Sequence, residues 1–327
     1  MDFSFQERTM IKEEPLKESL EKKVMAFYTD IWKDIRDNYY QKWLDNFKGG
    51  EQERLNALYL LSKFTYFGNL EIRAMLKAVY RDLYKYPIIE QIRKENNDTI
   101  DETLLKKQFK VHHKGTRFLG VGNPSESGVH LLYYFRQENN LPKGCFIHAH
   151  ELFLTTYSEE EQKMIQNWAD NSINHIVFLD DFCGNGNQAV TYIRDLVKQI
   201  KELNPACKID YFVLVGNKKG LDHVKEEAKI KAPKALFELD ESFKCFSSNS
   251  RYFVEQKEGI DKDFCKKMCE DYGMGRYKDA KSPLGYDDDE LLLSFFHNTP
   301  NNTLPVFWAD DDWFPIFSRA IKIYNRI

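Results

Sequence analysis

The stretch that most constrains the fold is HIVFLDDFCGNGNQAVTYI, residues 175–193. Residues 176–179 form a short apolar run rich in β-branched and aromatic side chains, which is typical of a buried strand in a parallel sheet. Asp180 and Asp181 end this run, a turn with two glycines follows, and residues 189–200 have helical periodicity. This order predicts a strand–turn–helix unit with a ligand site beyond the carboxyl end of the strand.

The turn after the two acids predicts a phosphate site. Its residues are Gly184, Asn185, Gly186, Asn187 and Gln188. A glycine-rich turn that opens a helix offers backbone N–H groups and the positive end of the helix dipole to an anion. The neighbouring carboxylates suit sugar hydroxyls or a Mg²⁺ ion that the ligand carries. Taken singly, each part is equally typical of a helix cap or a solvated strand end, but the ordered combination predicts a ribose phosphate ligand.

A second loop has a similar composition. Residues 118–121 predict a strand, and residues 129–136 predict a helix. The loop between them contributes Asn123, Ser125, Glu126, Ser127 and Gly128. Ser125 could simply cap the helix. The alternative is a second anion site, because small residues and hydroxyl groups lie at a helix start.

Strands and helices alternate through the middle of the chain. Strands are predicted at residues 118–121, 145–149, 176–179, 209–215 and 235–239, and one of the intervening helices at 158–168. This alternation predicts an α/β fold with a mostly parallel central sheet and helices on both faces. His148 and His150 end the second strand and lack a third partner for a metal, so an exposed pair is favoured.

Residues 1–115 predict an N-terminal helical domain. Apolar and aromatic residues recur at helical spacing over residues 24–47, which predicts one long amphipathic helix. Its apolar side chains form either an internal core or a partner-binding face. A basic cluster near the end of this domain is either a solvated face or a nucleic-acid contact. Its members are Lys106, Lys107, Lys110, His112, His113, Lys114 and Arg117.

Residues 116–327 predict the α/β domain, with a C-terminal helical and loop extension from about residue 241 to residue 327. Within the extension, helices are predicted at residues 261–272 and 291–296. A loop rich in asparagine follows. Its polar residues either form tight turns or line the ligand cleft, and they are His297, Asn298, Asn301, Asn302 and Thr303.

Composition narrows the location and excludes some partners. A net charge of −4 gives no overall attraction to nucleic acid. No apolar run approaches the roughly 20 residues that cross a bilayer, and no secretion signal opens the chain, so a cytoplasmic protein without membrane contact is expected. Six cysteines form no tight framework, which fits reduced thiols. Cys265 and Cys269 lie one helical turn apart but lack the further ligands that zinc requires.

Residues 180–188 resemble the signature of type I phosphoribosyltransferases, in which two acids precede a Thr-Gly-Gly-Thr-like loop. Asn185, Asn187 and Gln188 depart from the usual Thr, Gly and Thr. Together with FLGVGNPSESG, LGY near Gly285 and HNTPNNTLPVFW, this segment is similar to the phosphoribosyltransferase-like domain of bacterial conflict and antiphage systems, including retron-associated effectors. The resemblance covers the chain from about Arg54 to its C-terminus.

The resemblance implies a fold, a ligand and partners. It implies a type I phosphoribosyltransferase-like fold that binds phosphoribosyl diphosphate with Mg²⁺ and acts at ribose C1. Asp180 and Asp181 would be catalytic and hold the ribose hydroxyls, residues 184–188 would bind the 5′-phosphate, and residues 123–128 would bind the diphosphate. A retron effector would have a reverse transcriptase and its DNA–RNA product as partners. A nucleotide or NAD glycosidase and a non-catalytic nucleotide sensor remain as alternatives, and the altered loop favours the sensor.

Overall fold

The computed structural model describes residues 3–33, 35–36, 38–123, 126–274 and 282–320, with side chains described from residue 15 onward. Within them the α-helices are α1 (Phe3–Asp30), α2 (Tyr39–Leu44), α3 (Glu51–Leu61), α4 (Asn69–Ala78), α5 (Tyr86–Glu95), α6 (Glu102–Lys114), α7 (Ser127–Glu138), α8 (Asn187–Leu203), α9 (Lys218–Glu227) and α10 (Lys262–Gly273). A π-helical segment, Val79–Lys85, joins α4 to α5. Short 3-10 turns occur at Lys143–Cys145, Ala149–Leu152, Glu241–Phe243, Tyr286–Asp288 and Pro305–Phe307.

The described strands form three sheets. They are β1 (Thr65–Phe67), β2 (Thr116–Gly120), β3 (Phe153–Ser158), β4 (Lys163–Trp168), β5 (His175–Cys183), β6 (Lys208–Asn217), β7 (Lys234–Leu239) and β8 (Leu293–Phe295). The main sheet has the order β2-β5-β6-β7, and β1-β8 and β3-β4 form two-stranded sheets. The chain divides into two compact units, one of residues 73–239 and one of residues 1–72 and 240–327.

The unit of residues 73–239 contains the main sheet, in which all neighbouring strands are parallel. Phe146 adds a single parallel bridge to Phe118 on the outer side of β2. The predicted α/β fold with a mostly parallel sheet is therefore confirmed. The chain runs from β2 outward to Phe146 and then returns to β5, so the strand order reverses between β2 and β5. Such reversal points are where open α/β sheets bind ligands.

Helices cover both faces of the main sheet. On one face, the ring of Phe118 in β2 packs against Phe135 of α7, with ring centroids 5.1 Å apart. The next residue, Leu119, points to the opposite face because side chains alternate along a strand. There it shares a core with Ile193 of α8 and Val224 of α9. Two covered faces explain why β5 is an almost continuous apolar run before its acids.

The unit of residues 1–72 and 240–327 has a core rich in aromatic rings. Trp32 and Trp43 are almost fully buried in it. The indole N–H groups of Trp43 and Trp313 both donate to the backbone carbonyl of Val306, at 2.6 and 2.8 Å. The aromatic residues of 24–47 therefore form an internal core, as one of the two interpretations predicted.

Several local predictions are wrong. Residues 158–168 form a hairpin with residues 153–158 instead of a helix, and Phe153 pairs with Trp168 across it. Residues 145–149 contribute one bridge and parts of two 3-10 turns instead of a strand. Residues 291–296 contain β8, which pairs with β1, instead of a helix. The helix prediction is wrong because a short apolar run does not by itself distinguish a strand from a helix.

The predicted long helix at 24–47 is also wrong, because α1 ends at Asp30 and α2 begins at Tyr39. The division into two units likewise differs from the predicted boundary between residues 115 and 116. The N-terminal 72 residues share a unit with the C-terminal segment, and α5 and α6 belong to the unit of the main sheet. Among the described residues, no helix is both long enough and apolar enough to cross a membrane.

Candidate functional site

Strand β5 carries both predicted catalytic acids at the carboxyl edge of the main sheet. Asp180 is 4% exposed, and its Oδ2 accepts a hydrogen bond from the Tyr211 hydroxyl at 3.2 Å. Its Oδ1 accepts the backbone N–H of Asp181 at 3.0 Å. Asp181 is 7% exposed, and its Oδ1 accepts the backbone N–H of Phe182 at 2.9 Å. Neighbouring strand residues point to opposite faces, so the two acids occupy different surroundings.

Burial affects the charge of the first acid. It raises the pKa of Asp180 well above its usual range, and the adjacent Asp181 raises it further. Burial likewise raises the pKa of Tyr211, so its hydroxyl keeps its proton and donates it to Asp180 in a hydrogen bond. Asp180 is thus held toward its neutral form within the core beneath α8. Sequence reasoning missed Tyr211, which looks like an ordinary apolar residue of β6.

The predicted phosphate loop lies between β5 and α8. Gly186 has a φ of +82° and is the N-cap of α8, a backbone conformation that favours glycine. A Cβ on Gly186 would lie 2.5 Å from the carbonyl oxygen of Gly220 in α9, so the two chain segments touch through glycines. The backbone N–H of Asn187 donates to Oδ1 of Asn185 at 3.0 Å. Asn187 and Gln188 are exposed, which leaves this end of α8 accessible to a ligand.

The second predicted loop follows β2 and therefore lies beside the first. The backbone N–H of Val121 donates to the carbonyl oxygen of Leu179 at 2.9 Å, which ties the ends of β2 and β5 together. Gly128 approaches the carbonyl of Val121 so closely that a side chain would collide with it. This contact places Ser127 and Gly128 at the start of α7 next to the strand end. Ser125 lies outside the described residues.

Glu126 occupies the second loop in an unexpected way. Its Oε2 accepts the backbone N–H of Asn123 at 3.1 Å. The same carboxylate lies against Gly122, whose φ of +107° and missing Cβ make room for it. A carboxylate thus already bonds to a backbone donor of the loop predicted to bind diphosphate.

The polar residues predicted to line the cleft belong to the other unit. Asn302 is buried and donates to Oδ2 of Asp289 at 2.6 Å, and Thr303 is buried and donates to the carbonyl of Leu293 at 2.6 Å. Oδ1 of Asn298 accepts a hydrogen bond from the backbone N–H of Ala320 at 3.0 Å. The backbone carbonyl of Asn301 accepts one from the backbone N–H of Tyr286 at 2.8 Å. These bonds give turns and strand ends their shape. His297 packs on Phe295, with ring centroids 5.6 Å apart. The assignment of the five residues to the ligand cleft stays a prediction.

A cavity of about 260 Å³ lies beside the loop that follows β2, and sequence reasoning missed it. It is bordered by the end of β2, the start of α7, the middle of α8 and residues 146–149. Phe178 of β5 also lines it, so five separated segments build the cavity and no local sequence signal could have revealed it. Among the described residues, no three His, Cys, Asp or Glu side chains come together to hold a metal ion. All six cysteines are buried and free.

The chain matches the model of a protein family. The model of the family PRTase-CE matches residues 40–319. The chain belongs to the PRTase-CE family. Its α/β core is thus a phosphoribosyltransferase-like domain, and the match includes β5, both loops and most of the C-terminal segment.

Other comparisons of this PRTase-CE protein are less informative. No curated protein sequence matches the chain. Among solved structures, the chain is similar to the AQ2163 protein from Aquifex aeolicus, with 11% sequence identity over 62% of this chain and 84% of that chain. The TM-score of this pair is 0.26.

Proposed function

We propose that this PRTase-CE protein binds phosphoribosyl diphosphate, with Mg²⁺, at the edge between β2 and β5 and acts at ribose C1. The observation that supports the proposal best is the pairing of the two loops. One follows the acids of β5 and opens α8, the other follows β2 and opens α7, and the two strands are neighbours. A ligand with phosphate groups at both ends of a ribose offers one group to each loop and its hydroxyl groups to a carboxylate between them.

Each element has a distinct role in this proposal. The first turn of α8 receives the 5′-phosphate through backbone N–H groups and the exposed side chains of Asn187 and Gln188. Asp181 accepts hydrogen bonds from the ribose hydroxyls. Asp180 positions the strand end through its bonds to Tyr211 and to the backbone of Asp181. The loop of residues 123–128 receives the diphosphate.

The reaction breaks the bond between C1 and the diphosphate oxygen and forms a bond from C1 to an acceptor. Preorganised N–H groups lower the barrier where they face the charge that builds on the leaving diphosphate. Mg²⁺ would neutralise part of this charge. Since the described residues build no three-ligand metal cage, diphosphate oxygens and one carboxylate, Asp181 or Glu126, would hold the ion.

Titration calorimetry with phosphoribosyl diphosphate and Mg²⁺ tests the proposal. The wild-type chain should bind, and Asp181→Asn should weaken binding by roughly tenfold or more, as expected for lost hydrogen bonds to a charged group. Asp195→Asn, an exposed carboxylate on α8, is the matched control and should bind like the wild type. Chromatography then detects released diphosphate. No binding by the wild type, or equal binding by the Asp181 variant, would refute the proposal.

Two alternative functions use the same cleft. A glycosidase would place water at C1 of a nucleotide or of NAD, and a sensor would bind without turnover. The amide side chains of Asn185, Asn187 and Gln188 in the phosphate loop favour the sensor over a salvage enzyme. Ligand binding without product release in the presence of cell metabolites would identify a sensor.

The proposal extends to a cytoplasmic antiphage role, with a reverse transcriptase and its DNA–RNA product as partners. It rests on the resemblance of both loops and the C-terminal block to retron-associated effectors. A phage plating assay on cells carrying the complete defence locus tests this role. Protection that is equal with the wild type and with Asp181→Asn would separate this site from defence.

A further inference from the structure

We propose that β7 joins two copies of this chain, with the β7 strands of the two copies paired antiparallel about a two-fold axis. The pairing would make one continuous sheet from two four-stranded main sheets. The inference goes beyond the proposed function and does not depend on it, because it concerns a sheet edge and not the ligand site.

Strand β7 lies at one end of the main sheet. Its one neighbour among the described strands is β6. At the opposite end of the sheet, Phe146 adds a bridge to the outer side of β2. An edge strand directs backbone N–H and C=O groups away from its sheet, and another strand can bond to them. The edge of β7 is therefore the place where the main sheet can be extended.

The middle of β7 lacks the usual protection of an edge strand. Prolines, charges and bulges prevent edge-to-edge pairing in natural sheets. Residues 235–237 are Ala, Leu and Phe, and the register with β6 continues through them without a bulge. Phe237 is 49% exposed, whereas Val215, its partner in β6, is fully buried. A regular apolar edge of this kind favours pairing with another strand.

Symmetry restricts how two β7 strands can pair. A two-fold axis that relates antiparallel strands of one sheet is perpendicular to the sheet, so each face of the sheet continues into the same face of the other copy. Because side chains alternate along a strand, a residue can then lie opposite itself or opposite a residue an even number of positions away. Only registers centred on one residue of β7 meet this condition.

The charges of β7 favour the register centred on Leu236. With Leu236 on the axis, Lys234 of each copy lies opposite Glu238 of the other, so two pairs of opposite charge form. Ala235 lies opposite Phe237, and a small residue leaves room for the exposed ring. Opposite charges stabilise an antiparallel pair when they face each other directly, and like charges destabilise it.

The neighbouring registers lose this match. With Phe237 on the axis, Glu238 lies opposite Leu236, and with Ala235 on the axis, Lys234 lies opposite Leu236. Each alternative places a charge against a leucine. The occupant that fits β7 is therefore a second copy of the same strand, in an interface that uses the same residues on both sides.

Sedimentation equilibrium of the full chain over a range of concentrations tests this interface. The wild type should form a dimer. Lys234→Glu should raise the dissociation constant of the dimer by roughly fivefold or more, because two pairs of like charges then face each other. Glu238→Lys should do the same. The double variant with both exchanges restores opposite charges, and its dissociation constant should return to within about twofold of the wild-type value.

The matched control is Lys110→Glu, the same exchange at an exposed lysine of α6, and it should dimerise like the wild type. A wild type that is monomeric at every concentration would refute the interface. So would single variants that dimerise like the wild type, or a double variant that remains as weak as the single ones. Should circular dichroism show that Lys234→Glu is unfolded, Glu238→Lys decides, since residue 238 is exposed.

Discussion

The hydroxyl group of Tyr211 donates a hydrogen bond to Oδ2 of Asp180 at 3.2 Å, and both side chains are buried where β5 and β6 lie side by side. This bond distinguishes the first acid of the pair from the second. Asp180 belongs to the packed interior beneath α8, where burial keeps it toward the neutral form. The sequence presents the two acids as equivalent, and the fold separates their roles.

Replacing Asp180 by asparagine should change how stability depends on pH. Asp180 keeps its proton to a higher pH in the folded protein than in the unfolded chain. The free energy of unfolding therefore decreases as pH rises from about 4, where the unfolded chain loses this proton, through the raised pKa of the folded state. The asparagine side chain has no such proton to lose. The free energy of unfolding of Asp180→Asn relative to the wild type should therefore increase with pH, by about 1 kcal/mol or more at pH 7.

Urea unfolding at pH 4.5, 6 and 7.5 measures this difference. Asp195→Asn, at an exposed carboxylate, serves as the control and should give a difference that changes little with pH. A constant difference for Asp180→Asn would mean that Asp180 is charged in the folded protein.

Glu126→Gln should tighten the binding of free diphosphate. The Glu126 carboxylate bonds to the backbone N–H of Asn123 and repels an anion at the same loop. The amide of the variant has the same shape but is an uncharged and weaker acceptor, so it competes less with diphosphate for the backbone N–H of Asn123. Charged hydrogen-bond partners contribute roughly 1 kcal/mol more than neutral ones, and the affinity for inorganic diphosphate without Mg²⁺ should therefore rise about fivefold. Calorimetry in the presence of a chelator measures the effect. Weaker binding by Glu126→Gln would show that the carboxylate helps to hold the ligand.

Gly220→Ala in α9 should distort the phosphate loop, which lies against this helix. A methyl group on Gly220 would collide with the carbonyl oxygen of Gly184, and backbone atoms cannot move aside as a flexible side chain can. We expect a loss of about 1–3 kcal/mol in the free energy of unfolding and weaker binding of ribose 5-phosphate. Gly144→Ala is the matched control, since a Cβ there meets nothing within 4 Å. Equal stability of the two variants would contradict the close contact.

His112 should make the protein less stable in mild acid. Its Nε2 lies 3.1 Å from Nδ1 of His175, whose Nε2 lies 2.9 Å from Oδ2 of Asp210. Burial lowers the pKa of His112 to about 4. The unfolded chain binds this proton near pH 6.5, so stability falls as pH decreases from about 7 toward 4.

Thermal unfolding of His112→Gln at pH 7 and pH 5 tests this dependence. The variant should lose less stability than the wild type over this interval, by on the order of 1 kcal/mol. His130→Gln, at an exposed histidine of α7, should behave like the wild type. The same loss in His112→Gln and the wild type would show that His112 is already protonated in the folded state at pH 5.

Periodicity predicted the regular elements of the main sheet well. The apolar runs before Asp180 and within residues 209–215 became β5 and β6, and the periodic segment after Gln188 became α8. Each of these segments buries one fixed face, so the spacing of its apolar residues indicates whether it forms a strand or a helix. The helix predicted at residues 158–168 is wrong. Glutamates at residues 159–161 are typical of the first turn of a helix, but the alternation of the neighbouring residues pairs Tyr157 with Met164 across a hairpin.

The candidate site likewise has features that the sequence predicts and features that it does not. The acids, the glycines of the phosphate loop and the small residues after β2 are visible in the sequence because each motif is local. Tyr211 beside Asp180, Gly220 against Gly184, and the cavity bordered by α7 and α8 are not visible, since their members are distant in the chain.

The sequence by itself determined that a parallel strand ends in two acids and a glycine turn, and that a second small-residue loop opens another helix. Only the tertiary structure decided which acid bonds to Tyr211, which side chain contacts the loop after β2 and where an apolar cavity forms. The physical reason is that backbone conformation follows from neighbouring residues, whereas burial, pKa and cavity shape follow from segments that meet only when the chain is folded.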